Sequence, residues 1–287
     1  MTLNLRRASH ALGAEVVGLD ISKPLDDATV AELRKAFLEH YLLLFRGYPI
    51  TREQHVRFSS YFGDVDQNIG HRDRHPDCPE ITSVISEPTP DGKAPTGRFQ
   101  GQEWHTDHSH LPAPCMATLL RAVELPELGG DTQFCDMYRA YDRLSDGMKK
   151  MVEGLHGVHM EGRAVLDHSS PERYAESRRQ NPAAAHPVVR VHPETGRETL
   201  YVNKQVKLLV GLTAEESRPL VDFLTRHATP PQSVYRHHWQ LHDLVMWDNR
   251  CLMHMALGDF DRTTVRHMQK STVDGTPSGY VYEGPLD

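Results

Sequence analysis

Apolar and polar positions change period along this chain, and the changes mark out its elements. In DDATVAELRKAFLEH (26–40), Val30, Leu33, Phe37 and Leu38 recur at close to helical spacing, which predicts a helix with one packed face. YLLLF (41–45) follows as an apolar run of strand length. TREQHVRFSSYFG (51–63) opens with Thr51 and Gln54 at capping-box spacing and closes on Gly63, so a second helix is expected there. AEVVGL (14–19) predicts a short strand ahead of both. Residues 66–101 lose this periodicity. They are rich in His, Asp, Pro and Gly around one strand, ITSVIS, and predict a long loop region of the kind that covers active sites.

From residue 103 onward short strands dominate. MATLLRAVEL, DTQFC, HPVVRVH, ETLYVN, SVYRHHW, DLVMWD and TVRHMQKSTV carry β-branched and aromatic residues between turn signals. Helical inserts are expected in 136–153 and 170–180. TAEESRPLVDFLTRHA (213–228) brings a second capping box, Thr213 with Glu216. No repeat, low-complexity tract or linker divides the chain. The pattern predicts one domain over 1–287, mixed α/β and mainly β, with a jelly-roll (double-stranded β-helix) core decorated by helices.

Charge and composition narrow the function. The 287 residues hold 32 Lys and Arg against 39 Asp and Glu, a formal net charge of -7, so a nucleic-acid partner is not expected. The longest apolar run is YLLLF, so no membrane span is expected, and MTLNLRRASHALG lacks the apolar core of a signal peptide. Cys78, Cys115, Cys135 and Cys251 show no C-x-x-C spacing and read as buried thiols of a cytoplasmic protein. The 19 histidines are many for this length and turn attention to metal binding.

EWHTDHSH (103–110) concentrates three histidines and an aspartate. If EWHTD is extended, alternation puts His105 and Asp107 on one face, where they can take adjacent positions on a metal. His254, in DLVMWDNRCLMH, would complete a 2-His-1-carboxylate face. That set leaves the open positions that non-haem Fe(II) oxygenases need. Two rivals stay open at this level. A zinc-dependent hydrolase could use His108 and His110, although the order H-x-D-H-x-H interchanges residues of the binuclear H-x-H-x-D-H template and H-E-x-x-H is absent. A non-catalytic metal- or ligand-binding jelly-roll is the other.

In combination, WHTD, LPELGGDTQFCDMYRAYDRLS, HPETGR and DLVMWDNRCLMH, with an arginine shortly after, resemble the taurine dioxygenase / 2,4-dichlorophenoxyacetate dioxygenase family of Fe(II)- and 2-oxoglutarate-dependent oxygenases. The likeness runs from LGAEVVGLDISKPLDD to RHMQKSTVDG. It implies iron on His105, Asp107 and His254, with 2-oxoglutarate and O2 as cosubstrates and succinate and CO2 as products. It implies Thr132, of GGDT, at the 2-oxoglutarate carboxylate. It implies Arg266 at the distal carboxylate, where a guanidinium can grip a buried anion bidentately; Arg262 competes for that role.

Relatives commonly carry a second arginine four residues after the first, for the acidic group of the substrate. This chain has Lys270 there, which keeps the charge and loses the fork. The resemblance therefore implies a small organic anion, hydroxylated and in some cases thereby cleaved. Sulfonates, sulfate esters, aryloxyalkanoates and amino-acid derivatives fit, and taurine is not the expected best substrate. His108 stands where taurine dioxygenase lends a backbone N–H to the substrate, and Asn68 and His71 stand where relatives place a substrate-binding polar residue. His75 and His110 read equally as solvated loop residues. Trp247 is expected to pack beside the iron, and Asp248, Asn249 and Arg250 to form a structural turn. Relatives are often dimers or tetramers, so a homo-oligomer is expected.

Overall fold

The computed structural model describes residues 2–67, 73–96, 101–161, 166 and 169–286. Strands outweigh helices among them. An eight-stranded sheet runs in the spatial order Leu5–Arg7, Ala14–Val16, Leu42–Phe45, Leu244–Asp248, Ala117–Glu124, Arg266–Val273, Cys78–Ser86, Arg74–His75. A three-stranded sheet is ordered Val234–His237, Thr132–Asp136, Leu252–Ala256. A four-stranded sheet joins Val206–Leu209, His156–Met160, Ala183–Pro187 and Tyr280–Val281, and Val189–Val191 pairs with Glu198–Leu200.

Alternation sorts the large sheet into two faces. Leu43, Phe45, Leu119, Leu244, Met246 and Val273 pack in one apolar cluster with Leu33, Phe37, Phe58 and Phe62. These last four belong to, or directly follow, the helices Asp27–His40 and Arg52–Ser60. Leu42, Leu44, Leu120, Ala122, Val245, Trp247 and Met268 face the other way and meet Phe134 and Leu252 of the three-stranded sheet. The two sheets thus share one buried layer. Fully burying a side chain such as Phe134 contributes about 1.5–3 kcal/mol, so this layer holds the sheets face to face.

The two capping boxes read from sequence form: Thr51 with Gln54 and Thr213 with Glu216 are reciprocal. The first helix is capped by Asp26, which accepts from the Thr29 N–H. All four cysteines are buried free thiols. Among the described residues no helix is long and apolar enough to cross a membrane.

Several elements differ from expectation. EWHTD is not a strand: His105 alone makes a β-bridge, and a turn begins at Asp107. HPVVRVH is divided between two sheets, because the chain leaves one ladder at Pro187 and enters another at Val189. The insert 136–153 is two helices, Met137–Asp142 and Asp146–Val152. The strands His156–Met160, Val206–Leu209 and Leu252–Ala256 went unpredicted. They are short, carry Gly, His, Lys and Met, and owe their extended state to cross-strand partners rather than local propensity.

Candidate metal centre

The site is assembled on the strand Leu252–Ala256. Its outer edge receives the segment 101–105: Ala256 N–H donates to Gly101 O at 2.8 Å, and His105 and His254 exchange backbone bonds of 3.0 and 2.9 Å. Its inner edge pairs with Thr132–Asp136, placing His254 opposite Phe134 and Ala256 opposite Thr132. Residues directly opposite in an antiparallel pair point to the same side, and so do residues i and i+2. Pairing therefore carries His105, His254, Phe134 and Thr132 to one face, toward the layer between the sheets.

His105, Asp107 and His254 form a group of potential metal ligands. Asp107 Oδ1 lies 3.8 Å from His105 Nε2, and Asp107 Oδ2 lies 3.7 Å from His254 Nε2. Two N and O ligands of one ion, each about 2.0–2.2 Å from it, stand no more than about 4.3 Å apart, so these separations suit a shared ion. His105 Nδ1 donates to Glu103 O at 2.7 Å, which leaves the Nε2 lone pair bare. Burial alone would raise the Asp107 carboxyl. Its charged neighbour Lys270 leads the groups that hold it well below the usual carboxylate range. Burial, with His105 second, pushes the His254 imidazole well below its ordinary value. One carboxylate and neutral imidazoles are the protonation states a metal requires.

Asp107 has partners that sequence reasoning missed. Thr118 Oγ1 donates to Asp107 Oδ2 at 2.7 Å, and Asn249 Nδ2 donates to Thr118 Oγ1 at 2.9 Å. Asn249 lies in the turn expected for 248–250 and is also buried. No short-range pattern marks these contacts, because they join strands far apart in the chain. Trp247 packs against His254 with ring centroids 4.6 Å apart, as expected.

On the opposite strand, Arg266 and Lys270 keep regular register against Ser86 and Thr82. Lys270 Nζ lies 3.7 Å from Asp107 Oδ1. Arg266 is 3 % exposed, its Nε donates to Gly130 O at 2.8 Å, and its Nη2 has no partner among the described residues. Burial pushes the guanidinium down to about 10, against the pull of Asp131 and Asp259. Gly130 has φ +70, and a Cβ there would come within 3.1 Å of Arg266 Cδ and Nε, so the turn is close enough for its carbonyl only as glycine. Thr132 Oγ1 receives the Trp239 indole N–H at 3.0 Å. The indole only donates, so the Thr132 hydroxyl proton stays available for an acceptor.

His108 sits in the left-handed region at φ 55, in the turn after Asp107, with Nδ1 3.9 Å from Asp66. Burial first, and Lys270 second, push its imidazole down to about 4. Among the described residues, His108 and His110 do not join the metal group; their rings stand edge to face at 6.2 Å. Asn68 and His71 lie outside the described residues. A second cluster, His192, Asp248 and Cys251, is closed. His192 Nδ1 accepts from the Glu194 and Thr195 N–H groups, its Nε2 donates to Asp248, and Arg250 occupies the rest of that carboxylate.

Residues 4–272 match the family described as taurine catabolism dioxygenase TauD, TfdA family. The chain is 32% identical over 287 residues to the alpha-ketoglutarate-dependent 2,4-dichlorophenoxyacetate dioxygenase of Burkholderia sp. (strain RASC), covering 96% of this chain and 95% of that protein. It is 32% identical over 285 residues to the (S)-phenoxypropionate/alpha-ketoglutarate-dioxygenase of Sphingobium herbicidovorans, covering 93% of each. Among solved structures, AAD-2 in complex with Mn(II) and N-oxalylglycine superposes with a TM-score of 0.83 at 31% identity, over 97% of this chain and 99% of that one.

Proposed function

Because the chain belongs to the taurine catabolism dioxygenase TauD, TfdA family, we propose that His105, Asp107 and His254 are its metal ligands and that Lys270 anchors an organic anion beside them. The protein is a 2-oxoglutarate-dependent dioxygenase, and its cofactor set is Fe(II), 2-oxoglutarate and O2. The residues suit that set. Two imidazole nitrogens and one ionised carboxylate converge without using up a coordination sphere. The unpartnered Nη2 of buried Arg266 and the spare hydroxyl proton of Thr132 suit the distal carboxylate of 2-oxoglutarate. When bound, the metal, 2-oxoglutarate and O2 together supply the oxidising power that replaces a substrate C–H by C–OH, with release of succinate and CO2.

The chain's own part is placement. Lys270 contributes a point charge rather than a fork, so it holds an anion without fixing its plane. Phe134 and Trp247 wall the His254 side of the site with apolar surface and keep water out. The proposed substrates are aryloxyalkanoates, in keeping with the names of the relatives above. Their carboxylate suits Lys270, and hydroxylation of the carbon between carboxylate and ether oxygen yields a hemiacetal or hemiketal that collapses to a phenol and a 2-oxo acid. We further infer that the facing sheets form a jelly-roll core and that residues 1–287 act as one domain; the single apolar layer between the sheets supports both.

The observation that carries this reading is the ammonium group 3.7 Å from the candidate metal carboxylate. The test is to supply purified protein with Fe(II), 2-oxoglutarate and O2, then phenoxyacetates, alkyl sulfates, alkylsulfonates and N-acyl amino acids in turn. Phenol and succinate released in equal amounts support it. Succinate coupled only to another anion class would replace the proposed substrate, and no 2-oxoglutarate turnover with any anion would count against the site.

A further inference from the structure

The carboxylate of Asp107 is oriented by a one-way chain of hydrogen bonds whose direction follows from its first member. The Trp247 indole N–H can only donate, and it donates to Asn249 Oδ1 at 3.0 Å. That contact settles which way the Asn249 amide points, so its nitrogen faces Thr118 Oγ1 at 2.9 Å and Cys115 Sγ at 3.2 Å. An amide nitrogen only donates. The Thr118 oxygen therefore accepts from Asn249, and its own proton goes to Asp107 Oδ2 at 2.7 Å. Trp247, Asn249, Cys115 and Thr118 are at most 2 % exposed, so no solvent competes for these bonds. The strands support the same geometry, since Trp247 is paired directly with Thr118 across the sheet.

We propose that Thr118 and Asn249 are positioning residues for Asp107, aiming a hydroxyl proton at Oδ2 and so fixing the plane in which the carboxylate faces His105 and His254. This rests on the reading of Asp107 as a metal ligand. The relay fixes the plane of a side chain that stands on a turn rather than on a strand. This matters here because the backbone at Asp107 has no ladder partner among the described residues to hold it. Nothing in the sequence spacing of Asp107, Thr118 and Asn249 requires this alignment; the sheet register creates it.

The test is the affinity of the metal-free protein for Mn(II), measured by titration calorimetry, with the melting temperature of each metal-free variant as a check on folding. Thr118→Val preserves volume and removes the hydroxyl. It is expected to weaken Mn(II) binding about 10–100-fold, the usual cost of losing a partner of a metal ligand. Thr118→Ser should restore affinity to within a few fold. Asn249→Leu releases the Thr118 hydroxyl to rotate and should weaken binding several fold. The double variant should bind no worse than Thr118→Val alone, because both act on one proton. Thr118→Val binding within twofold of the parent overturns the relay, and so do losses that multiply in the double variant. Asp107→Ala separates the two levels. If it leaves Mn(II) affinity intact, the ligand assignment itself fails. If it loses affinity while Thr118→Val does not, only the relay fails. Should Thr118→Val melt below the assay temperature, Asn249→Leu and the Thr118→Ser comparison carry the test.

Discussion

His105 and His254 donate their backbone N–H groups to each other's carbonyls, at 3.0 and 2.9 Å, and their imidazoles stand 4.1 Å apart. This is the mutually hydrogen-bonded kind of antiparallel pair. Two side chains that present nitrogen to the same point are thus set by main-chain geometry, with little left to rotamer choice. Asp107 lacks such a pairing and relies on its side-chain contacts with Thr118 and Lys270.

This difference in support predicts how the ligands respond to change. His105→Ala, Asp107→Ala and His254→Ala should each lower 2-oxoglutarate-dependent succinate formation by more than about a hundredfold, beyond the 10–100-fold typical of a ligand's outer partners. Circular dichroism should show the fold retained. Undiminished succinate formation in any one variant would remove that residue from the ligand set.

Arg266 should act on the cosubstrate alone. Arg266→Ala is expected to raise the apparent KM for 2-oxoglutarate at least tenfold, with a smaller effect on the KM of the organic anion. Arg266→Lys should recover only part, because the fork is lost and the Gly130 carbonyl loses the Nε donor. Steady-state kinetics with each substrate varied in turn decides this. The reverse pattern would mean that the two anion sites are exchanged.

Lys270→Met removes the charge and keeps much of the stem. It should raise the KM of the organic anion about tenfold or more while leaving the 2-oxoglutarate KM within a few fold. It should also uncouple succinate from product. An unchanged anion KM would assign substrate charge recognition to another group.

A buried histidine away from the site predicts a pH dependence of stability. His55 is fully buried; Ser59 donates to the His55 carbonyl, Ser271 to Ser59, and His55 Nε2–H to Ser271 at 3.0 Å. Burial, with Arg121 second, lowers its imidazole from 6.5 to about 3. The unfolded chain therefore binds a proton below pH 6.5 that the native state refuses. The stability associated with His55 is fully present above pH 6.5 and is lost as pH falls toward about 3, by up to about 1.4 kcal/mol per pH unit. Urea melts of the parent and of His55→Gln at pH 5, 6 and 7 should show a shallower slope for the variant. Equal slopes would contradict the assignment.

Much of the architecture was legible in residue order. The capping boxes at Thr51 and Thr213 are local chemistry, each read within four residues. The run YLLLF reads as a buried strand from its continuous apolar composition, and Leu42–Phe45 is one. EWHTDHSH drew attention to metal binding by density alone; His254 was the third candidate from the DLVMWDNRCLMH segment, and the family likeness implies the same set. Local order was also misleading there, because EWHTD reads as a strand and is a single bridge followed by a turn.

Tertiary structure decided what distance in the chain conceals. Periodicity assigns a residue to a face but does not say which strand lies beside it, since register is a property of two segments. Sequence by itself determined the main helices and many of the strands, the net charge of -7 and the candidate ligands His105, Asp107 and His254. Only the folded sheets set Trp247 across from Thr118, brought the turn residue Asn249 within reach of the Thr118 hydroxyl beside Asp107, brought Gly130 against Arg266, and placed the Lys270 amine near Asp107. Hydrogen bonds and ion pairs act over about 3–4 Å. Segments far apart in the chain come within that range only through cross-strand pairing, and neither partner's local sequence encodes the pairing.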